Sequence, residues 1–194
     1  MKVGVLALQG DFREHRISLE KLGADVTEVR LPSQLEDLSG LIIPGGESTA
    51  IGKLMVAYDL MNSIRLFAKN NAIWGTCAGA ILLAKDVGAH QPLLALMDIT
   101  IQRNAFGRQI DSFEIDLPVP FLVPNQPDYH LTFIRGPIIT KIYGSAKSLL
   151  SLSDGRIIAA QQGRLLATSF HPELTEDLRF HRYFLELAQS SYEN

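Results

Sequence analysis

The segment Trp74-Gly75-Thr76-Cys77-Ala78-Gly79 constrains this chain more than any other. A short apolar run, Ala72-Ile73-Trp74-Gly75, reads as a strand, and a helical pattern from Ala78 to about Lys85 follows it at once. No residues are left over for a loop, so the turn between them has to be tight, and a glycine on either side of Cys77 gives it room. Such a turn, a thiol version of the nucleophile elbow, projects its central side chain at the carboxyl edge of a sheet. It also sets the sulfur near a helix N-terminus, whose partial positive charge favours the thiolate. The plainer alternative for Cys77 is a small buried hydrophobe, a common fate of free cysteine.

The rest of the chain gives the elbow a sheet to sit on. Val3 to Leu8 is a continuous apolar run bounded by Gly10, the pattern of a strand buried on both faces. Asp11 and Glu14 mark a helix start, Phe12, Leu19 and Leu22 share a helical face, and Gly23 closes that helix. Asp25 to Val29 and Leu41 to Ile43 read as further strands, the latter halted by Pro44-Gly45-Gly46. One long helix is predicted from about Ser48 to Ala68. Strands alternating with helices predict parallel βα units with helices on both faces of the sheet.

From Ile99 to Thr168 the pattern turns to short β-rich segments. The candidates are Ile99–Arg103, Ser112–Leu117, Thr132–Ile134, Ile138–Tyr143, Ser148–Leu152, Arg156–Gln161 and Leu165–Ser169. Residues 118–130, with four prolines, read as a loop or a short insertion. Thr175 starts the last predicted helix, with Glu176 and Asp177 in its first turn. A length of 194 residues suits one domain. The expected fold is therefore a single α/β domain over residues 1–194, a mostly parallel central sheet flanked by helices in a flavodoxin-like arrangement.

Composition excludes several functions. A net charge of −3 without basic runs points away from nucleic acid and membrane surfaces. No stretch approaches the roughly 18 apolar residues of a membrane helix, and the apolar N-terminus meets Gln9 and Asp11 too soon for a signal peptide. A single cysteine allows no internal disulfide and suits a reducing cytoplasm, which is the expected location.

A thiol nucleophile needs a base, and the base needs an orienting group. Among five histidines, His171 stands out, because Ser169-Phe170-His171-Pro172-Glu173 follows a predicted strand and precedes the last helix. Pro172 holds His171 to extended conformations, and Glu173 is near enough to fix its tautomer. His15 and His181 read as helix-face residues, and His90 and His130 fall in loop-like stretches with no assigned role. No ligand spacing suggests a metal. At Pro44-Gly45-Gly46-Glu47-Ser48-Thr49, adjacent glycines can turn amide N–H groups toward a ligand. The N–H groups of Gly46 and Ala78 are the natural oxyanion donors; the alternative is a plain turn with Ser48 as helix cap.

With these pieces together, the chain resembles the triad-type, class I glutamine amidotransferases. Within that class it is most similar to the glutaminase branch that serves pyridoxal 5′-phosphate synthase. The resemblance runs through Gly4-Val5-Leu6-Ala7-Leu8-Gln9-Gly10, the two glycine turns, Arg103-Asn104-Ala105-Phe106-Gly107-Arg108-Gln109, Phe133-Ile134-Arg135 and the His-Pro-Glu turn. Ile81 stands where many class I members carry glutamine, which matches the vitamin B6 branch better. The resemblance implies attack by Cys77 on the side-chain amide of L-glutamine, helped by His171 and Glu173. It implies a glutamine pocket lined by Gly46, Glu47, Ser48, Arg103, Ile134 and Arg135. It implies no cofactor, and a synthase partner in a large hetero-oligomer that receives the ammonia and activates the site on docking. A cysteine hydrolase of related fold and a non-catalytic regulatory subunit are the competing readings.

Overall fold

The computed structural model describes residues 1–103 and 112–190. Its strands are β1 (Lys2–Leu6), β2 (Asp25–Val29), β3 (Gly40–Ile43), β4 (Ala72–Thr76), β5 (Ala84–Asp86), β6 (Met97–Gln102), β7 (Ser112–Leu117), β8 (Tyr129–Ile134), β9 (Ile138–Ile142), β10 (Lys147–Ser151), β11 (Ile157–Gln162) and β12 (Leu165–Thr168). The α-helices among these residues are α1 (Phe12–Lys21), α2 (Ser48–Ala57), α3 (Leu60–Phe67), α4 (Ala78–Leu83) and α5 (Arg179–Gln189).

The strands β2-β1-β3-β4-β12 lie side by side and run parallel, because helices or long crossovers separate them in the chain. This is the α/β sheet expected from the alternating pattern. Beyond β12 the sheet continues antiparallel through β11 and β9 to β6, while β10 pairs with β11 and β5 lies parallel to β6. The strands β7 and β8 form a separate antiparallel ribbon.

Strands β3 and β4 are buried along their whole length, so successive side chains enter two different cores. Leu41 and Ile43 join Ile51, Met55, Leu60 and Ile64 on the side of α2, α3 and α4. Ile42 and Trp74 join Phe180 and Phe184 on the side of α1 and α5. Each such side chain taken fully out of water contributes about 1.5–3 kcal/mol.

Three expected helices have different bounds. The segment predicted as one helix over Ser48–Ala68 is two, α2 and α3, broken at Tyr58 and Asp59, where Asp59 takes φ 57°. In a continuous helix Leu60 would lie about 180° around the axis from Ile51. The break turns both toward the sheet. The helix after Cys77 stops at Leu83 rather than near Lys85, because Ala84 to Asp86 pair with β6 and Lys85 forms an ion pair with Asp98. The last helix starts at Arg179, not Thr175. Pro172–Leu174 form a 3-10 turn, and the Asp177 carboxylate, one residue ahead of the N-cap Leu178, accepts from the Arg179 N–H at 3.0 Å.

Candidate active site

Strand β4 delivers Cys77 to the carboxyl edge of the parallel sheet, and β12 delivers His171 to the same edge. Their register makes this unavoidable: Thr76 lies opposite Thr168. Cys77 takes φ 47° and ψ −101°, a conformation that costs a non-glycine residue about 1–3 kcal/mol and has to be held by its surroundings. Its N–H donates to the Thr168 carbonyl at 2.8 Å, and its carbonyl accepts from the Ile81 N–H at 3.2 Å. The flanking glycines are required by close approach. A Cβ at Gly75 would lie 2.4 Å from the Gly79 carbonyl carbon, and one at Gly79 would lie 1.9 Å from the Ile43 carbonyl oxygen. The elbow is thus held on one side by β3 and on the other by β12.

His171 is anchored by its own N–H, which donates to the Thr132 carbonyl at 2.9 Å. Its Nδ1 lies 2.7 Å from Glu173 Oε1, so the two residues meet as the His-Pro-Glu spacing predicts. Nε2 is buried with no hydrogen-bond partner among the described residues, and the ring lines one cavity with Cys77. Burial would lower the imidazole pKa, but the nearby Cys77 and the Glu173 carboxylate outweigh it and push the value up to about 10. The Cys77 thiol also points toward the Ile134 carbonyl at 3.9 Å, a long and weak contact beside the one with the imidazole. Burial raises the Glu173 pKa against the opposing pull of His171.

The cavity holds about 470 Å³ and is lined by Asp11, Gly46, Glu47, Ser48, Cys77, Ala78, Ile81, Arg103, Ile134, Arg135 and His171. Every site residue predicted from sequence except buried Glu173 therefore lies on its wall. Gly46 takes φ +146°, and a Cβ there would meet Gln9 Oε1 at 2.6 Å. Gln9, at the end of the first apolar run, also accepts from the Glu47 N–H at 2.9 Å and so fixes this turn. Neither Gly46 nor Ala78 donates its N–H to another described residue.

The expected alternative cap, Ser48, is not the cap of α2. Glu47 is: its carboxylate accepts from the Thr49 N–H at 2.9 Å and the Ala50 N–H at 2.7 Å. Slight burial works against its charge, but these N–H groups and Arg103 hold its pKa below the usual range. Arg103 lies 3.6 Å from Glu47 and donates to Gln91 Oε1 at 2.8 Å. The rest of the Arg103–Gln109 motif, residues 104–109, lies outside the described residues. Arg135, at φ 46°, follows β8 directly into the cavity wall.

Several residues here gave no usable signal in the sequence. Asp11, read only as a helix start, lines the cavity with Oδ2 3.6 Å from His171 Nδ1. Asp11, His171 and Glu173 have donor atoms within 4.8 Å of one another, so a cation could meet three ligand types there. His171 Nδ1, however, is engaged with Glu173. Gln91 gathers Ser48, Thr49 and Arg103 around one carbonyl oxygen. His15 and His181, read as helix-face residues, are fully buried and 2.9 Å apart, because the inner faces of α1 and α5 converge behind Glu173. His130 is in β8 rather than a loop and lies 2.7 Å from Asp116, whose hydrogen bond raises its pKa.

The site can therefore present a thiol to a substrate carbonyl, with a buried imidazole beside it, two unused N–H groups nearby, and charges of both signs around the mouth. A model of the SNO glutamine amidotransferase family matches residues 5–190. The pyridoxal 5′-phosphate synthase subunit PdxT of Herpetosiphon aurantiacus is 57% identical over 192 residues, which cover 96% of this chain and 100% of that protein. The subunit of the same name from Moorella thermoacetica is 53% identical over 189 residues, covering 96% and 99%. A crystal structure of a glutamine amidotransferase superposes with a TM-score of 0.90 at 49% identity, over 97% of this chain and 99% of that one. A structure described as a putative GMP synthase subunit shares the fold, with a TM-score of 0.67 at 19% identity. Since the family match runs unbroken through the Cys77 elbow and the His-Pro-Glu turn, the chain belongs to the SNO glutamine amidotransferase family.

Proposed function

We propose that this chain is the glutaminase subunit of a pyridoxal 5′-phosphate synthase, a single domain over residues 1–194 working in the cytoplasm. The observation that carries the reading is the cavity shared by Cys77 and His171, whose mouth offers carboxylates at Asp11 and Glu47 and guanidinium groups at Arg103 and Arg135. A free α-amino acid, with one ammonium and one carboxylate, is the ligand such a mouth complements. The relatives are named as subunits of pyridoxal 5′-phosphate synthase; in this reading, ammonia made here serves that synthase.

In the proposed reaction the Cys77 thiolate attacks the side-chain amide carbon of glutamine, and the carbonyl oxygen takes the charge. The N–H groups of Gly46 and Ala78 stabilise that oxyanion, each such donor being worth about 10²–10³ in rate. Imidazolium at His171 gives its proton to the departing nitrogen, so ammonia leaves and a thioester remains. Water then attacks the thioester, His171 takes its proton, and glutamate and the thiolate are regenerated. Glu173 accepts from His171 Nδ1–H and keeps Nε2 facing the sulfur. Glu47, Ser48, Arg103, Ile134 and Arg135 hold the amino-acid end of the substrate.

Glutamate release from glutamine, measured with and without the synthase subunit, tests this directly. Release that appears with the partner and disappears in Cys77→Ala supports the reading. No release from a complex shown to form would overturn it in favour of a non-catalytic subunit. Cleavage of peptides without a partner would instead favour a cysteine hydrolase.

A further inference from the structure

Behind Glu173 lie three polar side chains that the proposed reaction does not use. His15, His181 and Thr76 are each 0% exposed. His15 enters from the inner face of α1. Its Nδ1 stands 2.9 Å from His181 Nε2 on α5, and its Nε2 stands 3.1 Å from Thr76 Oγ1 at the end of β4. The same Nε2 is 3.3 Å from Glu173 Oε2, while Glu173 Oε1 is 2.7 Å from His171 Nδ1. A row of side chains, His181, His15, Glu173 and His171, thus leads from the deep core to the cavity.

The charge state of this row follows from what surrounds it. The titratable groups facing His15 are His181 from α5 and Glu173 and His171 from the turn after β12; Thr76 faces it from β4. The Trp74 ring meets both buried imidazoles edge-on, at 5.6 Å and 5.1 Å. Burial, then the nearby His181 and His171, hold His15 well below the ordinary histidine range, and burial brings His181 down to about 3. Both rings are neutral at pH 7. Each neutral ring has one N–H and one lone pair, so the tautomers are linked.

One arrangement satisfies them. If His15 carries its proton on Nε2, that N–H donates to Thr76 Oγ1 with Glu173 Oε2 3.3 Å from the same nitrogen, and His181 Nε2–H donates to His15 Nδ1. The opposite arrangement would turn a lone pair toward the Glu173 carboxylate and bury an unpaired His181 Nδ1–H, because that nitrogen has no partner among the described residues. Glu173 Oε2 likewise has no well-aligned hydrogen bond there, which leaves the His15 N–H as the polar group beside it.

We infer that His15 is a positioning residue for glutamine hydrolysis: its Nε2–H steadies the Oε2 side of Glu173, which keeps Oε1 on His171 Nδ1. His181 sets the required His15 tautomer. A packing role alone would be met by a leucine on α1. The chemistry that explains an imidazole is a neutral N–H held by Thr76 within 3.3 Å of a buried carboxylate, on the side away from the substrate. This rests on the proposed role of Glu173.

The test compares His15→Leu and His15→Gln in the assembled complex with the synthase subunit, with glutamine as substrate. The leucine variant is expected to lose about tenfold or more in kcat with KM nearly unchanged, the size of one hydrogen bond to a charged group. Its acid limb should move to higher pH, because losing the N–H beside it raises the Glu173 pKa, so the carboxylate that orients His171 is protonated earlier on acidification. The glutamine variant, which places an amide N–H near the same point, should recover most of the rate and the profile. Equal losses in both variants, or a loss in KM alone, would mark His15 as packing only and overturn the inference. So would a leucine variant within about twofold of wild type, well short of the same hydrogen-bond scale.

Nitrogen NMR of the unmodified protein gives a readout independent of turnover. His15 protonated on Nε2 and neutral at pH 7 is expected; a charged ring or the Nδ1–H tautomer would refute the arrangement, even if His15→Leu fails to fold. Absent glutaminase activity in the wild-type complex would instead count against the proposed function, while the NMR result would still decide the tautomer.

Discussion

Replacing Gly79 by alanine sets two physical effects of opposite sign against each other. Gly79 is the second residue of α4, within its first turn, where alanine gains at most about 1 kcal/mol in helix propensity over glycine. Propensity alone therefore predicts a more stable protein. The tertiary surroundings predict the reverse. A Cβ at this position would stand 1.9 Å from the Ile43 carbonyl oxygen, about 1.4 Å short of an ordinary C···O approach of about 3.3 Å. The obstacle is backbone at the end of β3, so no rotamer change can relieve it. Overpacking in a well-filled core costs about 1–3 kcal/mol where side chains can yield, and a backbone clash belongs at or above the upper end. A net loss of about 1–2 kcal/mol or more is expected, read as a lower urea midpoint at unchanged slope. Because Ile43 leads into the Pro44-Gly45-Gly46 turn and Gly79 is two residues from Cys77, relief of the clash also shifts the proposed nucleophile relative to the proposed oxyanion donor at Gly46. A displacement of about 1 Å can cost about 10²-fold in rate. Gly163→Ala is the control: its φ of +57° is strained for alanine, but no atom lies within 4 Å, so stability should fall slightly and activity should stay. A Gly79→Ala protein with wild-type midpoint and wild-type glutaminase rate would refute the claim that close approach to β3 dictates this glycine.

The other predictions concern the site. Glu173→Gln keeps the volume but offers an amide donor where His171 Nδ1–H needs an acceptor, so kcat in the complex should drop roughly 10³-fold; a loss under about tenfold would mean the imidazole is oriented by something else. Cys77→Ala removes one of the two neighbours that raise the His171 pKa to about 10, so an NMR titration should show a lower value in the variant. A raised pKa stabilises the fold fully below the unfolded value of about 6.5 and is lost as pH rises through about 10, so the wild type should lose more stability than Cys77→Ala between those limits. Identical titrations would show that the thiol and imidazole do not interact. Arg103→Ala should raise the glutamine KM about tenfold or more with kcat little affected, as expected for a group that binds the amino-acid end; an unchanged KM would remove Arg103 from the pocket.

The elbow was legible in the sequence because its requirements are local. A strand that runs into a helix without a loop needs small residues around the turn, and Gly75 and Gly79 declare that by their spacing from Cys77. The His171–Glu173 pairing was legible for the same reason: two residues and a proline suffice to bring them together. The break between α2 and α3 was missed, because Ser48 to Ala68 reads as one helix, and only the need for both Ile51 and Leu60 to face the sheet exposes the break.

Other features depended on distances that sequence does not contain. Cys77 and His171 meet only because β4 and β12 are neighbours in register, although 88 residues separate those strands. Glu47 rather than Ser48 caps α2 because the approach of the turn aims its carboxylate back at two free N–H groups. His15 and His181 look like ordinary polar positions on amphipathic helices. Only the convergence of α1 and α5 behind Glu173 makes them a buried pair. The local rules of turn and strand were enough to single out Cys77 and His171 as the proposed nucleophile and base. What supports them from behind was decided by which helix faces close against one another, and that depends on the whole sheet they cover.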